Sequence, residues 1–155
     1  MTPACTTLKR LGIAYSEHIY QHDPHVSSYG LEAAEKLGLA PHAVFKTLLV
    51  SDDKQLMVAI VPVTHQLSLK KMAHACGVKK IRMARSDEAE RSSGYLLGGI
   101  SPIGQKKRLK TVLDDSALAL NLIYVSGGRR GLDIGLTPTD LIRATDATTA
   151  HLRDD

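Results

Sequence analysis

The order of helical and β-rich segments predicts an α+β domain with a mixed sheet. Two observations carry this. Helices and strands alternate without the regular β-α-β rhythm of a parallel sheet. No internal repeat, low-complexity stretch or linker divides the 155 residues, a length that buries a real core without covalent staples. Residues 1–155 are therefore expected to form one domain.

The elements follow in order. Thr2-Pro3 reads as an N-cap with proline in the first helical position, and Gly12 as the stop. Ala14 to Tyr20 has strand character, broken by His22-Asp23-Pro24. Leu31 to Leu37 is a second helix closed by Gly38. Phe45 to Val50 and Leu56 to Val63 are β-rich runs, joined by a hairpin turn at Ser51-Asp52-Asp53-Lys54. Ser68 caps a helix over Leu69 to Cys76, with Gly77 behind it. A short strand is expected near Ile81 to Met83. Ser86 opens another helix, and Asp87 and Glu88 suit its positive end. Gly94 to Gly104, with four Gly and one Pro, reads as loop. Thr111 to Leu113, Leu122 to Val125 and Leu132 to Leu136 are three further strands. Thr137-Pro138 starts the last helix, with Asp140 three residues after the cap as in a capping box.

Composition narrows the function. The chain is 43% hydrophobic and 23% charged, as in soluble globular proteins. One Phe and no Trp leave few rings on which bases could stack, which disfavours broad single-strand RNA binding. Cys5 and Cys76 share no short spacing, so neither a zinc knuckle nor a redox pair is encoded. Scarce cysteine, no signal segment and no apolar run of membrane length point to the cytoplasm, with no membrane contact. Between Lys70 and Lys110 stand eleven Lys or Arg against three acids, while the remainder holds nine against thirteen. A basic middle suits a polyanionic partner, because neutralising phosphates releases counterions; a solvated basic face is the plainer reading.

Several residues invite chemistry. On a strand, Lys46 shares a face with Leu48 and Val50, opposite Phe45, Thr47 and Leu49. Both faces are largely apolar, so the ammonium must either snorkel to water or point into a cavity, where it could bind phosphate or stabilise an oxyanion. The loop Gly98-Gly99-Ile100-Ser101-Pro102-Ile103-Gly104 lets backbone N–H groups approach a ligand, although plain turn chemistry explains many such loops. Lys106, Lys107 and Arg108 follow it as candidate polynucleotide contacts. Ser126-Gly127-Gly128-Arg129-Arg130-Gly131 is a second such loop, reading otherwise as an ordinary hairpin. Asp133, inside a strand expected to be buried, requires hydrogen-bond partners from the fold or from a ligand. His18, His22, Asp23 and His25 suggest a metal, but Pro24 and the preceding strand-like run oppose convergence, and a histidine-rich turn is expected instead. No metal and no cofactor are expected. There is no Gly-x-Ser-x-Gly elbow, and neither Cys sits in a nucleophile's context, so an ester would be attacked by water or by the substrate itself.

Seven blocks together resemble the YbaK/EbsC family of aminoacyl-tRNA deacylases, related to the editing domain inserted in bacterial prolyl-tRNA synthetases. They are Met1 to Ala4, Tyr20 to Pro24, Lys36 to Leu39, Val44 to Val50, Arg91 to Tyr95, Gly98 to Arg108 and Tyr124 to Ile134. The resemblance runs nearly end to end, weakening after Asp140, and leans to the branch acting on cysteinyl-tRNA(Pro).

It implies a compact α+β fold around a strongly curved mixed sheet flanked by helices, with the tRNA acceptor end entering a pocket. It assigns Lys46 as the essential lysine, with Asp133 as the pocket acid. Tyr20, Tyr29, Gly98, Gly99, Ser101, Ser126, Gly127 and Gly128 become substrate-binding positions; beside them Thr47 is a candidate substrate contact, and Arg129 and Arg130 are further candidate tRNA contacts. Position 29 is often Phe in close relatives, so Tyr29 adds a hydroxyl without an assigned role. The resemblance also implies attack by the substrate's own thiol and work beside prolyl-tRNA synthetase. A deacylase for alanine or another small residue, and a non-catalytic aminoacyl-tRNA-binding module, are the alternatives.

Overall fold

Caps set the helix boundaries in a computed structural model that describes residues 1–155. Thr2 accepts the Cys5 N–H at the start of α1 (Pro3–Leu11), and Ser68 accepts the Lys71 N–H at the start of α3 (Leu69–Cys76). Thr137 does the same for Asp140 in α5 (Pro138–Thr145). Glycines 12, 38 and 77 close the first three helices. Helix α2 (Tyr29–Leu37) begins two residues earlier than the sequence suggests, bringing Tyr29 into its first turn. In α4 (Ser86–Ser93) Arg85 holds the cap position, and the Glu88 carboxylate accepts the Arg85 N–H at 2.8 Å.

Eight strands form: β1 (Ser16–Ile19), β2 (Phe45–Ser51), β3 (Leu56–Pro62), β4 (Arg82–Met83), β5 (Thr111–Asp114), β6 (Ile123–Arg129), β7 (Leu132–Leu136) and β8 (Thr148–Ala150). The class is α+β, as expected, but the hydrogen-bonded ladders divide into two sheets instead of one. Strands β1-β7-β6 make an antiparallel sheet, and β4-β2-β3-β5-β8 a mixed one, parallel at β3–β5 and β5–β8. One parallel bridge, Val44 to Tyr124, joins their rims. The second glycine segment is also not a simple turn. Ser126 to Gly128 lie within β6 at a register shift, and Arg130-Gly131 make the turn itself.

The five-stranded sheet buries both faces, which explains the uninterrupted apolar run of β3. Val58 and Ile60 enter the main core with Phe45, Leu49, Val125, Ile134 and Leu141. Met57, Ala59 and Val61 enter a second core with Val50, Met72 and Leu152. Lys46 falls on the second core's face of β2, with Leu48 and Val50.

Strand β8 carries no clear strand pattern and follows instead from a tertiary tie. Asp114 is fully buried; its carboxylate accepts the Leu152 N–H at 2.8 Å and the Ser116 N–H at 3.2 Å, and pairs with Arg153 at 2.9 Å. Replacing Asp114 by Ala strands the Leu152 N–H, so Asp114→Ala is expected to cost about 2–3 kcal/mol. Urea denaturation measures the loss, and amide exchange should rise over 148–153.

Candidate active site

Where the two sheets meet, a cavity of about 380 Å³ opens between the start of β2, the outer face of β6 and β7, the entry to α2 and the first glycine loop. Of the residues singled out from the sequence, Tyr20, Tyr29, Lys46, Thr47, Gly98, Ser126 and Asp133 line it.

Three of these bring polar groups without partners. Lys46 is half-buried, forms neither a hydrogen bond nor an ion pair, and burial lowers its pKa. The Thr47 hydroxyl is buried without a partner. Asp133 is 6% exposed and makes no side-chain hydrogen bond, and burial pushes its carboxyl up to about 6. Alternation along β7 sends Leu132 and Ile134 into the main core and Asp133 to the opposite face, between His18 of β1 and Ser126 of β6. Burial, then the nearby Asp133 charge, raises the Tyr20 hydroxyl. Lys46 and Asp133 form no ion pair, so both remain available to a third party.

Tyr29 stands at the mouth. Its ring lies 5.7 Å from the His22 ring on one side and 5.0 Å from the Arg130 guanidinium on the other. Behind it, Glu32 is 5% exposed and accepts the Asp23 N–H at 2.8 Å, with His22 Nδ1 at 2.7 Å and Lys36 Nζ at 3.0 Å. Burial would raise this carboxyl, but those partners outweigh it and hold it near about 2. His22 is thereby committed to Glu32, while His18 Nε2 sits 2.8 Å from Ser16 Oγ. Sequence inspection missed Glu32, because its partners come from a loop nine to ten residues upstream and only the folded turn reveals them.

Four expected substrate contacts do not line the cavity. Ser101 is fully buried, its hydroxyl accepting the Ile103 N–H and its carbonyl accepting from Gln105, so it shapes the loop. A Cβ on Gly99 would lie 2.7 Å from the Arg129 backbone, which shows how closely the two glycine segments pack. Gly127 and Gly128 abut Leu132 and Tyr95 in the same way. The run Lys106, Lys107, Arg108 also lies elsewhere. Arg108 pairs with Asp146, and Lys107 lines a separate hollow beside Ser51 and Arg82. Ser51 is five residues along β2 from Lys46, about 17 Å at the rise of a strand. Arg129 is exposed, and its guanidinium reaches only the Arg130 carbonyl, at 3.4 Å. Residues the sequence did not flag, among them Ser27, Ser28, Leu31, Gln66 and Leu97, complete the lining. No Cys or His lines it; Cys5 is buried in the main core and Cys76 borders the second. No helix is long and apolar enough to cross a membrane.

An α+β frame of two sheets is the fold this chain shares with a solved structure of the aminoacyl-tRNA editing class. Residues 23–144 match the aminoacyl-tRNA editing domain family, and the chain belongs to it. Among its relatives is EbsC of Enterococcus faecalis, which carries a Cys-tRNA(Pro)/Cys-tRNA(Cys) deacylase assignment; the two are 35% identical over 153 residues, 97% of this chain and 92% of that protein. The proline–tRNA ligase of Trichlorobacter lovleyi is 36% identical over 84 residues, 54% of this chain but 15% of the ligase. A solved structure assigned as a trans-editing enzyme for prolyl-tRNA synthetase shares the fold, with TM-score 0.84 and 24% identity over 99% of this chain and 96% of that one. The structure of a hypothetical protein matches with TM-score 0.88 and 27% identity, over 98% and 99% of the two chains.

Asp133 has a measurable signature. Its folded pKa of about 6 lies above the value near 3.9 of an unfolded aspartate. The native state therefore holds this proton more tightly, and its contribution to stability is full below pH ~4 and lost as pH rises through ~6. Asp133→Asn removes that loss. The stability of Asp133→Asn relative to the parent should rise by about 2–3 kcal/mol between pH 4 and pH 7.5 in urea denaturation.

Proposed function

We propose that this chain is a deacylase that removes cysteine from mischarged Cys-tRNA(Pro), with the cysteine thiol cleaving its own ester. The observation that carries this reading is the pair of charged groups without partners in the lining of one cavity: the Lys46 ammonium and the Asp133 carboxylate. An aminoacyl ester brings the complementary charges. Its α-ammonium matches Asp133, and the negative charge that develops on its carbonyl oxygen matches Lys46. A carboxylate made costly by burial gains most from a cation, and an ammonium kept from water stabilises an oxyanion strongly.

The cavity supplies no Cys or His to act as nucleophile or as its base, and substrate-assisted attack needs neither. The cysteine sulfur bonds to its own carbonyl carbon as the ester C–O bond breaks. The thiol proton passes to the ribose oxygen, and the cysteine leaves as a cyclic thioester that water then opens. The outcome is hydrolysis, although the cleavage step is an intramolecular displacement. The protein's part is to hold the reactive conformer and favour the oxyanion. Tyr20, Tyr29, Gly98 and Ser126 form the walls.

Selection follows from reactivity as well as fit. Serine offers a weaker nucleophile and alanine none, whereas fit alone separates side chains differing by one methylene only about 10- to 200-fold. Lys107 lines a separate hollow and Arg108 is paired with Asp146, so neither adds charge to the cavity itself. Recognition of tRNA(Pro) then falls to prolyl-tRNA synthetase acting as a transient partner, in keeping with the assignment of the trans-editing structure.

Lys46→Ala is expected to lower the rate on cysteinyl-tRNA by about two to three orders of magnitude while leaving the thermal midpoint unchanged. An undiminished rate rejects the assignment. On one tRNA, cysteinyl ester should be cleaved at least about tenfold faster than seryl or alanyl ester, and added prolyl-tRNA synthetase should sharpen the preference for tRNA(Pro). Faster cleavage of the alanyl ester would point to attack by water and to the small-residue alternative.

A further inference from the structure

We propose that Arg130 and Tyr29 form a phosphate subsite at the mouth of the cavity, which takes the phosphate of the terminal adenosine of the tRNA acceptor end. This deepens the deacylase reading and rests on it.

The Arg130 guanidinium is exposed and pairs with no carboxylate, yet it is held in place. Its Nε donates to the Leu97 carbonyl at 2.9 Å, its plane covers the Tyr29 ring at 5.0 Å, and its Nη2 donates to the Tyr29 hydroxyl at 3.4 Å. These contacts use two of the five N–H donors. Both hydrogens on Nη1 and one on Nη2 remain, the fork that binds a phosphate through two parallel bonds. Neighbouring Arg129 has no such anchorage.

The surroundings are built around this pair. A Cβ on Gly98 would lie 2.6 Å from Arg130 Nε and 3.1 Å from the Tyr29 ring, so glycine leaves the room the stack occupies. On its other side Tyr29 rests against His22, which is tied to buried Glu32. A chain of contacts thus runs from a buried carboxylate through His22 and Tyr29 to a preorganised cation. It also gives the Tyr29 hydroxyl a task that phenylalanine could not perform.

Chemistry selects the ligand. With the ester beside Lys46, one ribose separates the reacting carbonyl from the nearest phosphate, and phosphates are the anions the acceptor end offers. Arginine suits them better than lysine because its planar fork matches phosphate oxygens and loses less freedom on binding.

The test compares cysteinyl esters of adenosine and of adenosine 5′-monophosphate, together with direct binding of adenosine and adenosine 5′-monophosphate themselves, without the amino acid, by calorimetry. The wild type should favour the phosphorylated form about tenfold or more in kcat/KM and in affinity, the size expected of a charge-assisted bidentate contact. In Arg130→Ala that ratio should fall close to one, with intermediate values for Arg130→Lys and Tyr29→Phe. A wild-type ratio of one, or a ratio that survives Arg130→Ala, overturns the subsite. Equal weakening of both nucleosides by Arg130→Ala overturns it too, in favour of stacking on the adenine base. If the binding preference holds and depends on Arg130 while no ester is cleaved, the subsite stands and the deacylase reading fails.

Discussion

A charge without a partner is costly to bury, and this chain places two such groups, Asp133 nearly buried and Lys46 half-buried, in the lining of one cavity. Lys46 and Asp133 lie on different sheets, form no pair with each other, and owe their shifted pKa values chiefly to burial. The rest of the fold must hold them there against the tendency of each to reach solvent or a counterion. Apolar packing does this from both sides of β2, with Phe45 and Leu49 in one core and Leu48 and Val50 at the other. The lysine therefore rides on a strand packed on both faces.

Two buried aspartates make the contrast plain. Asp114 is fully buried, but two backbone N–H groups and Arg153 satisfy it, so its work is complete within the fold: it ties the C-terminal segment to the sheet edge. Asp133 is nearly as buried and has no such partners. Glu32 sides with Asp114, since its partners hold its carboxyl ionised while it organises the loop behind Tyr29. Buried carboxylates thus divide into those the protein satisfies and one that has no side-chain hydrogen bond within the fold.

Much of this was legible in advance. Helix ends were readable because caps act within three or four residues. Lys46 stood out because an ammonium between apolar faces violates strand patterning, and Asp133 because it interrupts a buried run. Adjacency in the basic segment did not translate into adjacency in space. Lys106, Lys107 and Arg108 are adjacent in sequence to the first glycine loop, yet Lys107 ends near the far end of β2 and Arg108 is paired with Asp146. Gly99, Gly127 and Gly128 are places of close approach between parts of the chain itself, where a Cβ would meet the Arg129 backbone, Leu132 and Tyr95.

Local order, then, was written in the chain: which segments are helix or strand, which face of each is apolar, and which residues break the pattern. Those properties depend on neighbours a few positions away, so short-range sterics and periodicity decide them. Only the folded chain determined that the strands divide into two sheets, that β8 completes one edge, and that Tyr29 meets Arg130 across 101 positions. Such meetings depend on how two packed layers settle against each other. That is a property of the whole core, and no window of sequence contains it.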